Sequence, residues 1–173
     1  VSVDGRIATL ALGLSLPHGL DVDRAGNVYV STLNPDQVWR IDHETQTPTL
    51  VAGTGGRGYG GDGAPAISAT LNFPEHVAIA RDQSLYISDR TNNRIRRVRD
   101  GIIETFAGNG GWGASGDGGR AVDAQVGGPL GIDVDDAGNV VVASTAGYRV
   151  RHIDPSGNIH TVAGGGSRDA SQL

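Results

Sequence analysis

The chain has no cysteine, so disulfides and thiolate chemistry are excluded from its 173 residues. Cysteine-free chains are common outside the cell and allowed inside it; the balance tips slightly towards an extracellular or periplasmic home, with the compartment otherwise open. No run approaches the roughly 20 apolar residues that a membrane span needs, and no charged-then-apolar leader opens the sequence. Positive charge is scarce: 14 Lys and Arg stand against 19 Asp and Glu, a formal net charge of −5. A nucleic-acid binder normally carries an excess of cations to displace counterions from phosphate, so nucleic acid is a disfavoured partner. No Gly-x-Ser-x-Gly elbow and no His pair at zincin spacing occurs, which removes the usual nucleophile and zinc signatures. The chain opens at Val1 without Met and ends at Leu173 in a linker-like stretch, as expected of a piece cut from something larger.

What is abundant is glycine. The 28 glycines, with 38% apolar and 19% charged residues, suit many short strands joined by glycine turns and leave long helices without support. The length permits one fold with a sizeable core.

Self-comparison exposes a repeat. Pro17-His18-Gly19-Leu20-Asp21-Val22, Pro74-Glu75-His76-Val77-Ala78-Ile79 and Pro129-Leu130-Gly131-Ile132-Asp133-Val134 recur at spacings of 74 − 17 = 57 and 129 − 74 = 55 residues. Each unit carries four apolar runs. The first alternates with period two (Leu20 and Val22, Val77 and Ile79, Ile132 and Val134). After a polar turn such as Asp23-Arg24-Ala25-Gly26-Asn27, the second is continuous, as in a strand buried on both faces: Val28-Tyr29-Val30, Leu85-Tyr86-Ile87, Val140-Val141-Val142. The third alternates imperfectly, with Arg among its apolar positions. The fourth is Thr49-Leu50-Val51-Ala52-Gly53, Thr105-Phe106-Ala107-Gly108 and Thr161-Val162-Ala163-Gly164, and Ile7-Ala8-Thr9-Leu10-Ala11 repeats it near the start.

Four antiparallel strands per unit, with no helical periodicity between units, predict an all-β radial array of four-stranded blades, a β-propeller. The strings GNVYVS, DRTNNRIRRV and GNIHTVAG, with the linker AGTGGRGYGGDGAPAISATLNFP, resemble the NHL-repeat family over nearly the whole chain. That resemblance implies propellers, typically six-bladed, that serve as interaction platforms; some related six-bladed propellers are hydrolases or lyases. Fold transfers better than activity.

The expected organisation is residues 1–16 as outer strands of a preceding blade, 17–73 and 74–128 as two blades each with its linker, and 129–173 as a third blade with the start of another. Three full blades plus an extra N-terminal strand or hairpin cannot close a ring. Further blades are expected from a longer chain or from self-assembly, to about six in all.

The linkers, residues 54–73 and 109–128, align without gaps and share Gly55/Gly110, Gly58/Gly113, Asp62/Asp117 and Gly63/Gly118. Repeated glycine at matched positions predicts backbone at positive φ or in close contact with a neighbour, and a structural role for all eight residues. The spacing Gly53/Gly55/Gly58 mimics a dinucleotide fingerprint, but Gly-Asp-Gly follows in place of a helix that would hold a pyrophosphate. Each linker offers too few carboxylates for calcium, so Asp62 and Asp117 are expected to cap their own turns through backbone amides.

Residues just after each proline should lie near the axis on one face, and there the copies diverge: His18-Gly19, Glu75-His76, Leu130-Gly131. His18, Glu75 and His76 form the candidate ligand site, able in principle to hold a divalent metal or to act as acid and base. No other cofactor is suggested. The turn between second and third strands opens on the same face and adds Asn34, Asp89, Asn92 and Asn93, which could line a partner surface or satisfy turn amides. Arg90, Arg94, Arg96, Arg97 and Arg99 form the only basic cluster. Because Arg149 and Arg151 recur at the register of Arg94 and Arg96, a structural role is favoured there. The expected function is a non-catalytic scaffold for a protein or glycan partner. The alternative is a lactonase-like hydrolase or a lyase using His18, Glu75 and His76.

Overall fold

The computed structural model describes residues 13–165; the strand-like run at residues 7–11 lies outside the described residues. Twelve strands make three separate four-stranded antiparallel sheets. The first holds β1 (Pro17–Val22), β2 (Val28–Leu33), β3 (Asp36–Ile41) and β4 (Pro48–Gly55). The second holds β5 (Pro74–Ile79), β6 (Leu85–Asp89), β7 (Arg94–Arg99) and β8 (Ile102–Ala107). The third holds β9 (Pro129–Val134), β10 (Val140–Ser144), β11 (Arg149–Ile153) and β12 (Ile159–Gly164). Each sheet runs in chain order from first to fourth strand, and β1, β5 and β9 lie side by side. Helix is confined to four single 3-10 turns among the described residues.

The turns follow from Asx chemistry. Asp23 Oδ1 accepts the amides of Ala25 and Asn27, both at 2.9 Å, and Asp135 repeats this with Ala137 and Asn139 at 2.9 and 2.8 Å. The imperfect alternation of the third strand has a cause in the backbone. The pairing of third with fourth strand shifts register at Val38/Trp39, Ile95/Arg96 and Val150/Arg151, the same place in each blade. A bulge there breaks period two and turns consecutive side chains inward, so Ile95 and Arg96 are both buried.

The core lies between sheets. One cluster joins Tyr29, Val38 and Ala52 of the first blade to Val77, Leu85, Ile87 and Ile103 of the second; another joins Tyr86, Ile95 and Ala107 to Ile132, Val142 and Ile159. The linkers close both from one side through Leu71 and Val126, each fully buried, which contributes about 1.5–3 kcal/mol apiece. Both linkers follow the same path. Thr54 and Asn109 donate to Ala69 and Ala124 at 2.8 and 2.9 Å. Gly63 and Gly118 donate across to Ile103 and Ile159 of the next blade, both at 2.8 Å. At Gly61 and Gly116, φ is +92° and +97°, and a Cβ would stand 2.7 Å from Ala69 or Ala124 Cα, so the hairpin can close only on glycine.

Gly58 and Gly113 meet the expectation through positive φ, +157° and +154°, and through contact with side chains. A Cβ on Gly58 would meet the Thr70 hydroxyl at 3.3 Å, and one on Gly113 would run into the side-chain amide of Gln125. The neighbours are side-chain ends because these two glycines face residues 70 and 125 on the returning arm of their own linker. Their backbone groups hold that arm: the Gly58 amide donates to the Leu71 carbonyl at 3.0 Å, and the Gly113 carbonyl accepts the Gly127 amide at 2.9 Å.

The outward faces lack this cover. Leu20 is 56% exposed where its counterpart Val77 is 0%, and Val162 is 59% exposed where Phe106 is packed into a cluster. Three wedge-shaped sheets flanking one another through apolar faces are a partial β-propeller of three blades.

Candidate functional site

Strands β1, β5 and β9 each begin with proline, which supplies no amide and so suits a strand start. The residue before each proline is left-handed: Leu16, Phe73 and Gly128 have φ of 45°, 56° and 58°. Beyond these kinks the first two blades bring His18, Glu75 and His76 together. His18 donates from Nδ1 to the Glu75 carbonyl at 3.0 Å, and its Nε2 stands 3.8 Å from Glu75 Oε1. Glu75 Oε2 accepts from Arg90 Nη1 at 3.4 Å. His76 packs against Gly19, where a Cβ would run into His76 Cα, and its Nδ1 is buried without a hydrogen bond. The third blade brings only Leu130 and Gly131 to this level. Among the described residues, no three of His, Asp and Glu converge as a metal-holding group.

The polar residues of the turn between second and third strands meet different fates. Asn34 is exposed at the tip of the first. Asp89 is fully buried: Oδ1 accepts the Asn72 amide at 2.8 Å, and Oδ2 accepts from Asn92 Nδ2 at 2.8 Å and Arg96 Nη1 at 3.3 Å. Burial pushes its carboxyl up to about 6, against the lowering pull of those three donors. Asn92 also donates to the Gly58 carbonyl at 2.7 Å. Asn93 donates to the Gly110 carbonyl at 3.1 Å and accepts the Gly128 amide at 3.0 Å. These side chains fasten linkers to blades.

Asp62 and Asp117 do not cap their own turns as the sequence suggests; each reaches into the next blade. Asp62 accepts from Thr105 Oγ1 at 2.8 Å, from Tyr59 at 3.1 Å and from Arg96 Nη2. Asp117 accepts from Thr161 Oγ1 at 2.7 Å, from Arg149 at 3.3 Å and from Arg151 Nη2 at 2.7 Å. Burial pushes both carboxyls up, but the threonine and arginine donors outweigh it and hold them below the ordinary range. Arg96 and Arg151 are themselves fully buried, which only a paired guanidinium tolerates. The first blade, with no such linker ahead of it among the described residues, has Trp39 at this register.

Several exposed residues of this face were not singled out by sequence. Trp112, 66% exposed, occupies in the second linker the place of Arg57 in the first. Its six-membered ring lies over Gly128, whose counterpart is Phe73. Arg57 instead stacks 4.3 Å above the Phe73 ring and pairs with buried Asp36 at 3.0 Å. The signal was present in the linker alignment, where Arg57/Trp112, Tyr59/Ala114 and Phe73/Gly128 differ between otherwise matched copies.

This architecture defines a class, the β-propellers, and known structures agree. The chain resembles virginiamycin B lyase from Staphylococcus aureus with a TM-score of 0.56 and 17% identity, over 84% of this chain and 40% of that one. It also resembles a chain of a nidogen/laminin complex (0.61, 18%, over 87% and 49%) and the gluconolactonase XC5397 from Xanthomonas campestris (0.59, 15%, over 90% and 50%). At these identities the likeness is one of fold, shared by enzymes and binding proteins. No family model matches the chain. In sequence it is similar to part of Teneurin-m from Drosophila melanogaster, 39% identical over 97 residues, which is 49% of this chain and 4% of that protein. The chain thus spans half or less of each solved relative and a small part of Teneurin-m.

Proposed function

We propose that these blades form a rigid, non-catalytic scaffold whose linker face binds a protein or glycan partner. The observation that carries this reading is a division of labour between the two linkers. Three matched pairs that shape each linker and anchor it are identical, Asp62/Asp117, Gly61/Gly116 and Ala69/Ala124, and the buried pair Leu71/Val126 stays apolar. Exposed positions differ: Trp112 stands where the first linker has Arg57, a side chain half open to solvent that also pairs with Asp36. A fixed frame with a varied display is what recognition requires, since ordering the display in advance lowers the entropic cost of binding.

A second reading, a propeller hydrolase or lyase, draws on the His18–Glu75 pair and on the unpartnered Nδ1 of His76. One comparison separates the two. The scaffold reading expects no turnover of a δ-lactone such as gluconolactone by the chain. Turnover that disappears in Glu75→Gln and His18→Ala would replace it with the enzymatic reading.

A further inference from the structure

Between the end of the first linker and the start of the second lies an open groove of about 420 Å³, walled by Phe73 and Trp112 and floored by Arg90, Thr91 and Asn93. We infer that it docks an acidic peptide segment of a protein partner, with an apolar side chain against Trp112 and an Asp or Glu carboxylate on Arg90. This rests on the scaffold reading and names the chemistry of what that scaffold takes.

Four observations converge on the groove. Trp112 is 66% exposed, an unusual position for a large apolar ring, and its seat exists because Gly128 has no side chain. Exposed Trp and Arg side by side are the residue types that dominate binding energy at protein interfaces. Phe73 sits at φ 56° where the third blade has glycine at 58°, so an aromatic residue is kept at a position that glycine would occupy without strain. Left-handed backbone is unfavourable for such a residue, and strain of this kind gathers at binding sites.

The third observation is charge. In a chain of net charge −5, this groove has Arg90 among its lining residues, 44% exposed, while Arg57, paired with Asp36, stacks on Phe73 beside it. Arg90 uses one of its donors on Glu75, which leaves the rest of the guanidinium fork to take a carboxylate in two-pronged geometry. The fourth is rigidity. Arg90 and Thr91 amides donate to the Phe73 and Asn72 carbonyls at 3.1 and 3.0 Å, and Asn93 ties the floor to both ends of the second linker. An open, aromatic-walled trough of fixed shape suits an extended segment or loop of protein.

The test is selection of a random 12-residue phage-displayed peptide library on the 173-residue chain, counter-selected on Trp112→Ala. Enriched peptides should carry Asp or Glu beside an apolar residue. Their affinity should fall at least tenfold in Arg90→Gln and in Trp112→Ala, and recover in part in Trp112→Phe. Circular dichroism confirms that the exposed-site variants fold. The inference is overturned by no enrichment over the counter-selection, by enriched peptides without acidic residues, or by an oligouronate that binds the groove while peptides do not. Peptides enriched equally on the parent and on Trp112→Ala when the counter-selection is left out would remove the groove and leave the scaffold reading standing. Lactone turnover lost in Glu75→Gln would remove the scaffold reading itself.

Discussion

Arg151 Nη2 lies 2.7 Å from the Asp117 carboxylate, joining the interior of the third blade to a linker that left the second. The guanidinium is fully buried, and it also donates from Nη1 to the Ala114 and Gln125 carbonyls, each at 3.2 Å. One side chain therefore holds the start and end of the linker and its acidic centre at once. Arg96 holds the outgoing arm and acidic centre of the preceding linker through the Gly60 carbonyl and Asp62, and turns its other nitrogen to Asp89.

Breaking this pair should be costly. Asp117→Ala leaves a buried cation with only neutral carbonyls for company, and we expect a loss of about 2 kcal/mol, less than a wholly buried pair because Asp117 is 38% exposed. Urea unfolding of Asp117→Ala, Arg151→Met and the double variant checks it. The single losses should exceed the double when summed; simple additivity would mean the contact carries no coupling.

Gly19 and Gly131 occupy the same register with opposite surroundings. A Cβ on Gly19 would run into His76 Cα and stand 2.6 Å from the Glu75 carbonyl, whereas nothing lies within 4 Å of one on Gly131. Gly19→Ala should force β1 away from β5 and cost about 2 kcal/mol or more, while Gly131→Ala should fall within about 0.5 kcal/mol of the parent. Denaturant midpoints of the two variants decide the matter, and equal values would contradict the close approach.

The paired carboxylates give stability two opposed pH dependences. Asp89, raised to about 6, binds its proton more tightly folded than unfolded, where an aspartate titrates near 4. Its contribution is therefore greatest below about pH 4 and declines as pH rises towards 6. Asp62 and Asp117, held low, contribute fully above about pH 4 and lose that contribution as pH falls further. The stability difference between Asp89→Asn and the parent should consequently change between pH 4 and 6.5, in favour of the variant at the upper end. A difference that stays flat over this window, measured by urea midpoints, would show that Asp89 does not titrate there.

Much of the fold can be read from local pattern. The recurrence of Pro17, Pro74 and Pro129, the period-two first strands and the Asp-Gly-Asn turns all act through neighbours in sequence, and each forms where the pattern puts it. Strand three is the instructive exception. Its alternation fails because a bulge recurs at Ile95/Arg96 and its counterparts, and a bulge depends on how the partner strand is registered. The site was less legible. Asp62 looked like a turn cap because its sequence neighbours offer amides, yet its arginine lies 34 residues away. Gly113 shows the same limit: its match to Gly58 marks a built position, but the Gln125 side chain that it faces comes from the far arm of the linker.

The sequence by itself determined the repeat, the strand order and the glycine positions of the linkers, since these are properties of short stretches and of steric limits on a single backbone. Only the tertiary structure decided that Asp89 is buried, that Glu75 lies between His18 and Arg90, and that Phe73 and Trp112 face one groove. Such pairings arise between residues on different blades and linkers, where the packing of sheet against sheet, not any local preference, sets what meets what.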